Sequence, residues 1–164
     1  MPESESVNNS AEFFGPEWGR DAVVYQVYPR SFYDSNGDGV GDLPGVVEKA
    51  DYIENLGVDV VWLSPVYDSP DIDNGYDVRE YRDVNSDLGD LDDFGDLVDE
   101  FHGKGIRVMM DAVFNHTSDQ HDWFEASRNP DHPEHEKYRN FYHWSGDYPG
   151  EENDFPGHWS SVFH

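Results

Sequence analysis

A chain of 164 residues has the length of one domain, and its 36 acidic against 10 basic side chains give a net charge of −26. So negative a field excludes nucleic acid and anionic membrane surfaces as partners, and the absence of cysteine excludes disulfides and thiolate metal sites. With 36% hydrophobic and 15% aromatic residues the chain still has the material for a packed core, which excludes global disorder.

The carboxylates are spread along the chain rather than gathered in one block, which argues against an acidic tail. Dense surface carboxylates of this kind suit a salt-rich medium, where screening relieves their mutual repulsion; a halophilic protein is the expectation. The first residues, MPESESVNNSAEFFGPEWG, have neither a charged leader nor an apolar stretch, and no apolar run reaches membrane-spanning length. A soluble cytoplasmic protein without membrane contact is therefore expected.

Residues 1–17 are polar and patternless and read as a flexible N-terminus. Residues 22–28 (AVVYQVY) are β-branched and aromatic, the signature of a buried strand. A loop dense in Asp, Asn and Gly follows at 34–42 (DSNGDGVGD). A helix is predicted over 43–56, where Val46, Val47, Ala50, Ile53 and Leu56 share one face and Gly57 stops it. A second buried strand is predicted at 58–65 (VDVVWLSP). Residues 66–89 form a long polar stretch without a secondary-structure period, and loops of that length inside compact domains are usually functional. Phe94, Leu97, Val98 and Phe101 mark a helix over 91–102, closed by Gly103 and Gly105. A third strand is expected at 106–114 (IRVMMDAVF), and everything after Asn115 reads as irregular.

Buried strands alternating with amphipathic helices mean a parallel sheet with right-handed crossovers, an α/β fold. A dinucleotide-binding sheet would place a glycine-rich turn directly after its first strand. Here Pro29 and Arg30 lead into the Asp/Asn loop instead, which favours a barrel. A (β/α)₈ TIM barrel needs eight strands in about 250 residues. The expectation is thus an incomplete barrel, its first three strands and two helices, in a truncated chain.

Three groups of residues carry chemistry. Asp34, Asn36, Asp38 and Asp42 alternate with flexible glycines, and the carbonyl of Val40 completes a set of hard oxygen donors for Ca²⁺. The opening positions resemble an EF-hand loop, but Gly45 stands where that motif needs a bidentate Glu. The alternative is a solvated loop of Asx-turns. Mg²⁺ suits the loop less because it sheds water reluctantly.

The second group, Asp73 to Asp77 (DNGYD), lies in the loop after the second strand, where barrels build their active sites. A carboxylate accepts sugar hydroxyl donors and an aromatic ring packs on the C–H face of a pyranose; the alternative is an Asn-Gly turn with Tyr76 as packing. The third group is DAVFNH, 111–116, whose strand ends in Asn115 and His116. His116 has the chemistry to bond a substrate hydroxyl, or else to cap or pack, and Asp111 in its apolar strand needs a partner.

Weaker signals point to structure. His132 to Glu136 (HPEHE) lacks the spacing of a zinc helix and is interrupted by Pro133. Asp90, Asp92, Asp93, Asp96 and Asp99 read as a solvated helix face with acids at its N-terminus. Trp144, Trp159 and Phe163 suit a sugar cleft or ordinary packing equally.

Taken together, AVVYQVYPRSFYDSNGDGVGDLPGV, VVWLSPVYDSPDIDNGYDV and RVMMDAVFNHTSDQHDWF resemble glycoside hydrolase family 13, the α-amylase superfamily, within its oligo-1,6-glucosidase and α-glucosidase group. The resemblance runs from about Trp18 to His164 and rests on three motifs in order. It implies a retaining α-glucoside hydrolase acting on α-linked gluco-oligosaccharides. Asp34, Asn36, Asp38, the Val40 carbonyl and Asp42 would be its structural Ca²⁺ loop. Asp73 would hold the terminal glucose, Tyr76 would stack on it, His116 would contact its 6-hydroxyl, and Phe163 would border the pocket. It also implies that residues 18–115 begin the catalytic barrel and that 116–164 begin a small domain inserted after the third strand. Ala112 and Phe114 depart mildly from the family pattern. The nucleophilic Asp and acid/base Glu of the family would lie beyond His164, so no catalytic residue is expected in this chain and the chain alone is expected to be inactive. Transglucosylation or isomerisation on the same scaffold, as in trehalose synthase, and a non-catalytic relative remain as alternatives.

Overall fold

The computed structural model describes residues 18–144. They fall into two compact units: residues 18–68 with 81–113, and residues 69–80 with 114–144. The expected flexible terminus, 1–17, and the aromatics Trp159 and Phe163 lie outside the described residues.

In the first unit, strands β1 (Val24–Val27), β2 (Val60–Leu63) and β5 (Arg107–Met110) form a parallel sheet in the order β1-β2-β5. Val24 pairs with Val60, and Val60 with Arg107 on the other side. Apolar strands joined by helical crossovers have no other low-energy pairing, since a hairpin would need short turns that the chain lacks. The helices α2 (Leu43–Glu48), α3 (Ala50–Asn55) and α4 (Leu91–Gly103) supply the crossovers, and the single turn α1 (Pro29–Phe32) follows β1. The core gathers Val27, Leu43, Ile53, Leu63, Leu97 and Phe101, all fully buried.

The structure corrects several expectations. The sequence predicts strands buried throughout, yet Val24 is 46% and Met109 38% exposed, because β1 and β5 are the outer strands of a three-stranded sheet and only β2 is flanked on both sides. The single helix expected over 43–56 breaks at Lys49, whose ψ of 8° leaves the helical range. Its N–H turns to the carbonyl of Val46, a three-residue closure that tightens the chain. The ammonium of Lys49 lies 3.6 Å over the ring of Tyr33. The apolar face Val46, Ala50, Ile53 nevertheless continues across the break.

The stretch 66–89 is not without secondary structure: β3 (Tyr67–Asp68) and β4 (Glu80–Val84) form a two-stranded sheet. One is too short and the other too charged to show an apolar period. Nor is the chain irregular after Asn115, for it contains α5 (Asp122–Arg128) and α6 (His135–Tyr138) in the second unit. Both are too brief for a helical period to emerge, and the cap of α5 is an unusual one: His121 Nδ1 accepts the N–H of Trp123 at 3.0 Å. The aromatics around α5 pack in pairs, Trp123 with Tyr138 and Phe124 with Trp144, and Trp144 Nε1–H donates to Ser127 Oγ. Helix α4 opens as its acidic run suggested. Asp90 accepts the N–H groups of Asp92 and Asp93 while Asp93 accepts that of Asp90, a reciprocal cap. Among the described residues no helix is long and apolar enough to cross a membrane.

Candidate functional site

Residues 69–77 and the segment opened by Phe114 belong to the same unit. Within the first, the peptide from Asp73 to Tyr76 reverses direction: Asn74 at φ 53° and Gly75 at φ 90° make the left-handed pair that an Asn-Gly turn demands, and Tyr76 N–H donates to the Asp73 carbonyl at 3.0 Å. Gly75 is buried, while Asp73 and Tyr76 are half-buried.

His116 meets this turn. Its Nε2 lies 3.1 Å from the Tyr76 carbonyl oxygen and its Nδ1 3.3 Å from Asn115 Nδ2. A carbonyl only accepts, so Nε2 carries the proton and Nδ1 accepts from the Asn115 amide, an assignment made from the network. Two residues on, Ser118 N–H donates to the Val78 carbonyl at 2.8 Å. The two motifs read separately from the sequence, DNGYD and FNH, are thus joined by backbone and side-chain bonds. The Asn-Gly turn, the alternative reading of this motif, is present.

Asp77, to which sequence reasoning assigned nothing, accepts three hydrogen bonds within the loop. It takes Ser69 Oγ–H at 2.8 Å, Ile72 N–H at 3.0 Å and Asp73 N–H at 3.1 Å. Its place directly after Tyr76 was the only signal available. Asp111 is half-buried in the first unit; its carbonyl accepts the Tyr67 hydroxyl at 3.0 Å. Burial first, and then the charge of Asp111, push the Tyr67 hydroxyl above its ordinary pKa. In HPEHE, His132 Nδ1 accepts Glu134 N–H, and His135 begins α6.

The loop 34–42 lies in the first unit. Asp34 accepts Gly37 N–H and Gly39 N–H, Asn36 accepts Asp38 N–H, and Asp38 accepts Val40 N–H. Those amides, Gly39 foremost, hold the Asp34 carboxyl below its usual pKa. Gly37 at φ 85° and Gly39 at φ 96° allow the coil. Asp42 is buried; it accepts Gly45 N–H at 2.6 Å as the cap of α2, and Ser35 Oγ–H at 2.9 Å. A Cβ at Gly45 would stand 2.1 Å from the Tyr33 carbonyl oxygen, so the close approach of loop and helix requires glycine there. As placed, no three His, Cys, Asp or Glu side chains among the described residues form a cation cage. The donors fit Ca²⁺ in kind: all are hard oxygens, and each carboxylate that accepts an amide keeps lone pairs to spare.

One unit with a parallel strand-helix-strand-helix-strand order, and a second in which an acid, an aromatic and a histidine lie on hydrogen-bonded loops, define an α/β protein with a candidate small-molecule site. Residues 26–164 match the alpha-amylase catalytic domain, and the chain belongs to that family. It is 52% identical over 147 residues to an oligo-1,6-glucosidase of Parageobacillus thermoglucosidasius, covering 89% of this chain and 25% of that protein. It is 47% identical over 148 residues to the trehalose-6-phosphate hydrolase of Escherichia coli, covering 90% of this chain and 26% of that one. Among solved structures, the trehalulose synthase MutB variant D200A with glucose superimposes with a TM-score of 0.72 at 51% identity, over 77% of this chain and 22% of that one. The isomaltulose synthase SmuA of Protaminobacter rubrum does so with a TM-score of 0.73 at 50% identity, over 79% and 23%. The chain therefore spans about a quarter of the length of the curated relatives it matches.

Proposed function

We propose that this chain is the N-terminal part of a retaining α-glucoside hydrolase acting on α-linked gluco-oligosaccharides, and that it supplies the groups that hold the sugar. The observation that carries this reading is the single hydrogen-bonded assembly of Asp73, Tyr76 and His116, in a chain half identical to oligo-1,6-glucosidases. In this role Asp73 accepts hydroxyls of the terminal glucose and Tyr76 packs beneath its C–H face. The His116 Nε2–H, given to the Tyr76 carbonyl in the free protein, turns to a sugar hydroxyl when one arrives. Contacts of this sort accelerate the reaction if they strengthen as the ring flattens toward the transition state. In a retaining mechanism two further carboxylates about 5–5.5 Å apart do the bond-breaking, one as nucleophile and one as acid and base. These are proposed to lie C-terminal to this segment, as the family pattern has them, and residues 116–164 are proposed to open an inserted domain. Phe163 keeps its proposed place bordering the pocket.

The test is hydrolysis of maltose and isomaltose by the full enzyme. Asp73→Ala is expected to lower kcat/KM by about 10² or more with the fold intact, the scale of a lost positioning contact; unchanged turnover would remove Asp73 from the site. A second reading, glucosyl transfer or isomerisation, is favoured by the likeness to the trehalulose and isomaltulose synthases. Products from sucrose separate the two: glucose and fructose mean hydrolysis, and an isomeric disaccharide means transfer.

We also propose that the loop 34–42 binds Ca²⁺ through Asp34, Asn36, Asp38, the Val40 carbonyl and Asp42. When bound, the ion would neutralise the crowded acids and pin the loop against α2. Removing it with a chelator is expected to lower the melting temperature of the full protein, and Ca²⁺ but not Mg²⁺ should restore it; no change on chelation would leave the loop as a set of Asx-turns. High-salt adaptation is likewise proposed, from the charge of −26.

A further inference from the structure

Two legs of chain enter and leave the Asp73–Tyr76 turn, and a single side chain spans them. On the leaving leg, Asp77 Oδ1 accepts Ser69 Oγ–H at 2.8 Å and Asp73 N–H at 3.1 Å, while Oδ2 accepts Ile72 N–H at 3.0 Å. On the entering leg, Ser69 Oγ in turn accepts Asp71 N–H at 3.0 Å, and Asp71 is held at φ 58°, a left-handed conformation that few non-glycine residues adopt. Ser69 is buried and Asp77 half-buried, so the bonds are partly shielded from water. An ionised carboxylate is the only common side chain with two oxygens that accept and nothing that donates, and all three donors here point at it.

We infer that Asp77 is a positioning residue of the sugar-holding site: its carboxylate clasps the entering leg of the loop and so fixes where Asp73 stands. This rests on the reading of Asp73 as a sugar-holding group. The clasp also explains why Asp71 stays in an unfavourable backbone conformation, since the Ser69–Asp77 pair over-determines the leg around it. An amide at position 77 has one acceptor oxygen and one NH₂ group. It therefore faces at least one loop N–H or the Ser69 hydroxyl with a donor, and the leg must move.

The test uses the full enzyme, of which this chain is the N-terminal part, with Asp77→Asn, Asp77→Glu and Asp73→Asn. With ¹⁵N labelling, the Ile72 and Asp73 amide protons of the unsubstituted protein are expected downfield and slow to exchange, and Asp77→Asn should move both upfield and speed their exchange. On a nitrophenyl α-glucoside, Asp77→Asn is expected to lower kcat/KM about 10²-fold, the cost of an ångström-scale misplacement, with melting temperature nearly kept. Asp77→Glu, which retains both oxygens, should recover part of that loss. In an Asp73→Asn background the Asp77→Asn change should cost less than about 2-fold more, because the clasp acts through Asp73. A full second loss in that background, or Ile72 and Asp73 amides that ignore Asp77→Asn, would overturn the inference. If the unsubstituted enzyme cleaves no α-glucoside, or Asp73→Asn costs nothing, the functional reading fails, and the amide signals still decide whether the clasp exists.

Discussion

At the scale of single residues, histidine does two different jobs in the second unit. His116 donates its Nε2–H to the turn that carries Asp73 and Tyr76 and accepts from Asn115 at Nδ1. His121 is buried at 4% exposure, tilts against Trp123, and caps α5 with a lone pair on Nδ1. Burial lowers its pKa, opposed by the charges of Glu80 and Asp122 that face it. Protonation would both charge a buried ring and destroy the acceptor that makes the cap. Because the folded state holds its proton less tightly than the unfolded chain, the unfolded state binds more protons in the window below the ordinary histidine pKa of about 6.5. Stability from this site is complete above that pH and falls as acid is added. His121→Asn, which caps without titrating, should flatten this part of the melting-temperature profile between about pH 7 and 5; an unchanged slope would assign the acid sensitivity elsewhere.

At the scale of elements, polar caps decide where helices start and apolar faces decide what they cover. Asp90 satisfies two N–H groups of α4 that the helix leaves unbonded, and Asp93 returns the bond. Asp90→Ala should cost about 1 kcal/mol, read as a shift of the urea midpoint with unchanged slope, whereas Asp90→Ser should cost little. Asp42 does the same for α2 while closing the 34–42 loop on Ser35, so one acid serves helix and loop together. Lys104, at the end of α4, reaches Asp51 at 2.5 Å and Glu54 at 2.9 Å on α3. The hydrogen bond with Asp51, then that with Glu54, raises its pKa. The tie joins α3 to the end of α4 at the surface, where water screens it, while Ile53, Leu97 and Phe101 belong to the buried core.

At the scale of the whole molecule, charge dominates. A net −26 on 164 residues repels itself in dilute buffer and is relieved by counterions within a Debye length. If high-salt adaptation is correct, the melting temperature of the full protein should rise steadily from about 0.1 M to molar KCl, where the Debye length shrinks to about 3 Å. A flat response would leave the acidity without that explanation.

How much of this was legible beforehand follows from range. The order of strands and crossover helices, the acidic cap of α4 and the oxygen-rich loop were written in the sequence, because apolar period, turn residues and caps act over a few neighbouring positions. The three motifs also marked the family, since their residue types recur at fixed local spacing. Only the tertiary structure decided that Lys49 breaks a helix, that β1 and β5 show side chains to solvent, and that His116 bonds the Tyr76 carbonyl 40 residues away. It alone gave Asp77 its place, because a carboxylate looks the same in a sequence whether it faces water or gathers three donors. Local propensity speaks for neighbours along the chain; which distant donors meet an acceptor is settled only when the elements pack.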